Sequence, residues 1–155
     1  MILVDSSKLE EIYRHAEATY PYECCGIITG PKDQDTWAVH RITNIQDDLH
    51  RENPEKYRRD ARIAYYMEPQ EMLQVFQQAD ALGEEIKGFY HSHPDHEAYF
   101  SEEDKFIALS GWEEPAYPGA FYMVVSVYEG KVKNARIFIW DETVRNFKEE
   151  AFQVR

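Results

Sequence analysis

The sequence predicts an α+β fold, an α/β/α sandwich in which one mixed, mainly antiparallel sheet is flanked by helices. Three observations predict it. Two segments carry apolar residues at helical spacing, five others alternate or run apolar like strands, and the two kinds are interleaved along the chain. The 155 residues are the size of one ordinary domain, able to bury roughly two-thirds of the unfolded surface without a disulfide or metal. Glycine and proline number only seven each, with no internal repeat and no Gly/Ser linker, which excludes a disordered or fibrous chain.

The elements follow in order. Ser6 or Ser7 caps a first helix, with Glu10 completing a capping box and Leu9, Ile12, Tyr13 and Ala16 forming its stripe. Tyr20-Pro21 ends it, because a residue before proline leaves the helical region. Residues 24–29 are an apolar run closed by Gly30-Pro31, a buried strand, and residues 36–43 alternate as its antiparallel neighbour. Residues 44–67 are polar and read as irregular. Pro69 opens a second helix at a favoured first position, Met72, Val75, Phe76, Ala79 and Leu82 line it, and Gly83 stops it. Residues 86–93 form a strand, 101–109 a short helix, and 111–119 a loop with two prolines. Residues 121–128 are a strongly apolar strand, Glu129-Gly130 a tight turn, and 135–140 a further strand. The tail at 144–154 reads as an edge strand.

Charge and cysteine content exclude several functions. Seventeen basic residues against 29 acidic ones give a net charge of −12, which argues against sequence-independent nucleic-acid binding and against a membrane surface. The apolar runs are far shorter than a membrane span, and Met1–Asp5 lacks a signal-peptide pattern. Cys24 and Cys25 are adjacent and are the only two cysteines, so no disulfide framework or thiolate zinc finger is expected. Two free thiols suit the cytoplasm.

The chemistry concentrates in His91-Ser92-His93-Pro94, followed by Ser101-Glu102-Glu103-Asp104. His91 and His93 are two apart on a strand, so both imidazoles point to one face. Pro94 sets them at the strand's C-terminal end, where open sheets place their sites. Asp104 lies on the first turn of the next helix, which can fold back over that end. Two imidazoles and one carboxylate suit a catalytic zinc, with the fourth position left for water. Ser101-x-x-Asp104 is equally a helix capping box, and taken alone that reading is the stronger. An isolated His-x-His pair is also usually incidental. The combination at a strand–loop–helix junction is what favours a site.

These residues resemble a family. The pattern His91-Ser92-His93-Pro94, six residues, Ser101, two residues, Asp104 resembles the metal-binding signature of the JAMM (MPN+, Mov34/PAD-1) metalloproteases, in their bacterial and archaeal branch. Tyr22-Glu23-Cys24-Cys25-Gly26-Ile27-Ile28-Thr29-Gly30, the Asn53-Pro54-x-x-Tyr57 segment and the helix at 69–83 are similar too, so the resemblance covers about residues 5–140. It implies an MPN/cytidine-deaminase-like fold, with residues 1–155 as one MPN+ (JAMM) metalloprotease domain. It implies one Zn2+ on His91, His93 and Asp104, Glu23 as general base, and Ser101 as donor to the oxyanion. Nothing in spacing selects Glu23 from the other acids; the resemblance alone does.

The implied activity is hydrolysis of an amide bond at the C-terminal diglycine of a ubiquitin-like or sulfur-carrier protein, by a monomer or homodimer, without nucleic acid or membrane. The competing reading is a non-catalytic MPN-type binding or scaffold module, against which Glu23 and Ser101 argue, since a structural site needs neither. A nucleobase deaminase would need a Pro-Cys-x-x-Cys ligand pair, which is missing. His96 and Glu97 read first as solvated loop residues, with support of a neighbouring ligand as the alternative, and Trp37, Trp112 and Trp140 read as packing residues. A basic cluster at 51–62, Arg51, Lys56, Arg58, Arg59 and Arg62, stands out in an acidic chain; a solvated loop is the stronger reading, and docking of an acidic partner is the alternative.

Overall fold

Six strands make the central sheet, in the order β3-β2-β4-β5-β6-β7. A computed structural model describes all 155 residues. The strands are β2 (Cys25–Pro31), β3 (Ala38–Ile42), β4 (Glu84–Pro94), β5 (Phe121–Tyr128), β6 (Lys131–Asp141) and β7 (Asn146–Glu150). All neighbours are antiparallel except β4 and β5, which run parallel, so the sheet is mixed and mainly antiparallel. The only parallel pair within this sheet is also the one joined by the long crossover through α4 (Glu102–Leu109), because parallel strands cannot be linked by a hairpin.

Helix α1 (Ser6–Thr19) covers one face of the sheet and α3 (Pro69–Ala81) the other. Strand alternation sorts the side chains between two cores. Ile12 and Ala16 of α1 pack with Cys24, Ile28, Tyr90 and Met123 on one side. Val75 of α3 packs with Cys25, Ile27, Phe89 and Tyr122 on the other. β5 is buried on both faces over its first seven residues, which is why its sequence runs apolar instead of alternating. Each of its fully buried valines, Val124, Val125 and Val127, contributes about 1.5–3 kcal/mol. The adjacent thiols Cys24 and Cys25 are both buried and both free, one in each core.

The structure corrects the sequence reading at several boundaries. Asp5, not Ser6 or Ser7, caps α1: its carboxylate accepts from the Ser7 and Lys8 amides, and both serines are already helical. The irregular stretch 44–67 contains α2 (Gln46–Glu52). That helix has no apolar stripe to announce it and is anchored by polar contacts: Asn44 accepts from the Gln46 amide, and Gln46 donates to the Arg59 carbonyl. A two-stranded parallel sheet of β1 (Ile2–Val4) and β8 (Phe152–Val154) joins the chain ends, a pairing no local pattern reveals. The edge strand in the tail is β7. Pro94 closes β4 while staying in register with Val127. Gly83, at φ +70°, ends α3, and Glu129-Gly130 turns with both φ positive.

Candidate metal centre

The alternation of β4 puts His91 and His93 on the α3 side of the sheet, at the strand's C-terminal end. Ser101 caps α4, its Oγ accepting from the Asp104 amide at 3.0 Å. The Asp104 carboxylate accepts in return from the Ser101 amide at 3.0 Å. The capping box therefore forms, and it aims Asp104 inward. Asp104 Oδ1 lies 3.1 Å from His91 Nε2, and Oδ2 lies 3.1 Å from His93 Nε2. The two Nε2 atoms are 3.2 Å apart. All three side chains are buried, and their ligand atoms lie within 4.8 Å of one another. Cap and cluster thus share one side chain: the capping box forms, and the same Asp104 carboxylate lies among the two imidazoles.

The protonation states fit a cation. His93 Nδ1 donates to the Glu97 backbone oxygen at 2.9 Å, because a carbonyl only accepts. In its neutral form His93 then turns a bare Nε2 toward Asp104. Burial holds the His91 pKa below its ordinary value, against the pull of Asp104. Burial alone would raise Asp104, yet the two imidazoles hold it well below the usual carboxylate range. A bare His93 Nε2 at 3.1 Å from an Asp104 oxygen is repulsive unless a proton or a cation lies between them. Nitrogen and oxygen ligands about 2.0–2.2 Å from a tetrahedral ion stand roughly 3.3–3.5 Å apart, close to the spacing here. The residues present fit a metal ion.

Glu23 enters from the segment just before β2. β2 and β4 register Cys25 with His91, the Ser92 amide donates to the Cys24 carbonyl at 3.1 Å, and Ser92 Oγ accepts from the Cys24 amide at 2.8 Å. This pairing brings Glu23 alongside the histidine end of β4. The Glu23 amide donates to the Ala61 carbonyl at 2.7 Å, and Asn44 donates to the Glu23 carbonyl at 2.9 Å. The side chain is buried, and its Oε1 has no hydrogen-bond partner. Burial, then repulsion from Asp104, raises its pKa well above the ordinary value. An unpartnered buried carboxylate oxygen is rare and marks a site for a ligand or proton transfer.

Sequence reasoning missed Tyr65, and it left Glu97 open as a ligand's partner without saying which atom would serve. Tyr65 is buried and stacks on His91. It lies in the polar stretch 44–67, where no periodicity singles it out. The Glu97 backbone carbonyl, not its side chain, holds His93; the Glu97 carboxylate pairs instead with Lys133 at 2.8 Å. Of the tryptophans, Trp37 packs on Phe121 and Trp140 on Phe147, while Trp112 is 75% exposed.

Residues 5–141 match the family model described as prokaryotic homologs of the JAB domain. The chain belongs to this family. A desampylase from Haloferax volcanii is 28% identical over 107 residues, covering 68% of this chain; the match spans 63% of the desampylase's own length. A CysO-cysteine peptidase from Mycobacterium tuberculosis is 28% identical over 127 residues, covering 81% of this chain and 73% of that one. A JAB1/MPN domain protein from Archaeoglobus fulgidus superposes with a TM-score of 0.54 over 100% of this chain and 97% of its own, at 16% identity, which shows the shared fold. No helix of this JAB-family chain is long and apolar enough to cross a membrane.

Proposed function

We propose that this chain is a zinc-dependent peptidase or isopeptidase that hydrolyses an amide bond at the C-terminal diglycine of a ubiquitin-like or sulfur-carrier protein, with its 155 residues forming one catalytic domain. The observation that carries this reading is the convergence of His91, His93 and Asp104 beside the unpartnered Glu23 carboxylate. The names of two relatives, a desampylase and a CysO-cysteine peptidase, support the reaction class and the protein substrate. The two free thiols support a reducing compartment such as the cytoplasm.

His91, His93 and Asp104 hold the ion. Two neutral imidazoles and one carboxylate leave it a net positive charge, and imidazole with carboxylate suits zinc. When bound, the ion supplies Lewis acidity toward a water and a carbonyl. Glu23 accepts the proton of the attacking water on its free Oε1 and returns it to the leaving amine. Burial and the Asp104 carboxylate raise the Glu23 pKa above the ordinary value, the direction that favours a carboxylate accepting a proton. Ser101 spends its oxygen lone pair on the Asp104 amide, so its O–H is free to donate to the oxyanion. Glu97 and the Ser101 amide hold His93 and Asp104 in orientation.

The test compares wild type with Glu23→Gln on a carrier protein extended beyond its Gly-Gly terminus. Both proteins should bind about one zinc, and only wild type should cleave. A chain that takes up no zinc sinks the reading. Equal cleavage by Glu23→Gln refutes the base assignment alone.

A further inference from the structure

Seven of the 17 Lys and Arg side chains have no carboxylate within 4.0 Å, although acids outnumber bases by 29 to 17. Four of the seven, Lys56, Arg58, Arg59 and Arg62, fall within one stretch of seven residues. The other three, Lys32, Arg41 and Lys131, are scattered along the chain.

The stretch that holds the four adjoins the candidate metal centre. The stretch is fastened to the segment that carries Glu23 through the bond from the Glu23 amide to the Ala61 carbonyl. Asp47 accepts from the Ala61 amide at 2.7 Å, and Gln46 donates to the Arg59 carbonyl at 2.8 Å, so the backbone beneath the cations is held rigidly. The Arg62 guanidinium sits 6.0 Å over the Tyr22 ring, one residue before Glu23. Tyr22, Glu23 and Ala61 also line a cavity of about 370 Å³ between α1 and β3, and a fifth unpaired cation, Arg41, stands on its wall. His15 in the same wall adds no charge at neutral pH, and Asp47, the other acid of the wall, is engaged by Ala61. Arg58, Arg59 and Arg41 are exposed.

We propose that Lys56, Arg58, Arg59, Arg62 and Arg41 form a docking face for the acidic surface of the protein substrate, seating its tail beside Glu23. The inference rests on the peptidase reading for the identity of that partner. The rest of the molecule carries excess negative charge and repels an acidic protein, so this face would set the orientation of approach as well as its rate. The backbone that carries these cations is held before binding, and they need break no existing ion pair to meet a partner, whereas the cations elsewhere are mostly paired. Small peptides ending in Gly-Gly would miss this contact and bind only at the centre.

The probe is a labelled acidic ubiquitin-fold carrier protein ending in Gly-Gly and one further residue. Its Kd for the metal-loaded chain is read by anisotropy, with KM and kcat measured in parallel. Arg58→Glu/Arg59→Glu should raise Kd and KM about tenfold. Added salt from about 50 to 300 mM should weaken carrier binding to wild type and leave the variant nearly unchanged. Both side chains are exposed and bond to nothing, so the variant should fold; Arg58→Gln/Arg59→Gln, with a smaller shift in the same direction, guards against a misfolded reversal. A Kd change below about twofold, or wild-type binding insensitive to salt, overturns the proposal. So does a single-stranded oligonucleotide that binds more tightly than the carrier and is lost on reversal. A wild type that binds the carrier with this salt dependence but never cleaves it sinks the peptidase reading and leaves the docking face standing.

Discussion

Tyr65 lies flat against His91, with ring centroids 4.5 Å apart and planes 26° apart. The contact fixes the plane of an imidazole whose nitrogen must point at Asp104. Tyr65→Phe keeps the face and should hold metal affinity within about twofold, whereas Tyr65→Leu keeps apolar bulk but loses the face and should weaken it about tenfold. Competition with a chromophoric zinc chelator measures both. Equal affinity in the two variants would show that bulk alone suffices.

Asp104 serves cap and cluster together, and two substitutions separate these roles. Asp104→Asn keeps an oxygen for the Ser101 amide but loses the charge. Asp104→Ala loses both. Both should lose metal affinity by more than about tenfold, while only Asp104→Ala should also lower apo-protein stability by about 1 kcal/mol through the cap. Urea unfolding in chelator, set beside zinc titration, reads the two effects separately.

His15 shares a 2.7 Å hydrogen bond with the Tyr90 hydroxyl and ties α1 to the strand that bears the histidines. Burial, helped by Arg41, lowers its pKa from 6.5 to about 4. A folded-state pKa below the unfolded one means that the unfolded chain binds more protons between these values. The contribution is therefore complete above pH 6.5 and is lost as pH falls toward 4. In thermal melts, the gap between wild type and His15→Gln should narrow across that window. A constant gap would show that His15 titrates alike in both states.

Gly26 faces Tyr90 across the β2–β4 pair, and a Cβ built there would overlap the tyrosine ring and hydroxyl. Gly26→Ala should cost about 1–3 kcal/mol, the range for overpacking a tight core. Because Tyr90 precedes His91, part of that strain should reach the cluster and weaken zinc binding. Unfolding midpoints and zinc titration check the two claims.

The histidine pair was legible because strand period two and the following proline act locally: residues two apart share a face wherever the strand lies. The cap was legible for the same reason, since Ser101 and Asp104 are one helical turn apart. Helix α2 was not, because it has no apolar stripe and is held by polar contacts, to Asn44 just before it and to the backbone of Arg59 and Ala61 more than ten residues on. Asp5 was passed over because a serine beside it offered an equally good cap, and only backbone geometry chooses between them.

The sequence by itself determined the layer architecture, the face shared by His91 and His93, the capping turn that bears Asp104, and the lack of any thiolate site. Each depends on contacts within a few residues. Tertiary structure decided that Asp104 closes on the two imidazoles at 3.1 Å, that Tyr65 stacks on one of them, and that Glu23 lies beside them with a free oxygen. It also decided that the segment bearing Arg59 and Arg62 is fastened to the one bearing Glu23. Those relations depend on the pairing of β2 with β4 and on the path of residues 44–67, and such long-range placement leaves no periodic trace in the residues that meet.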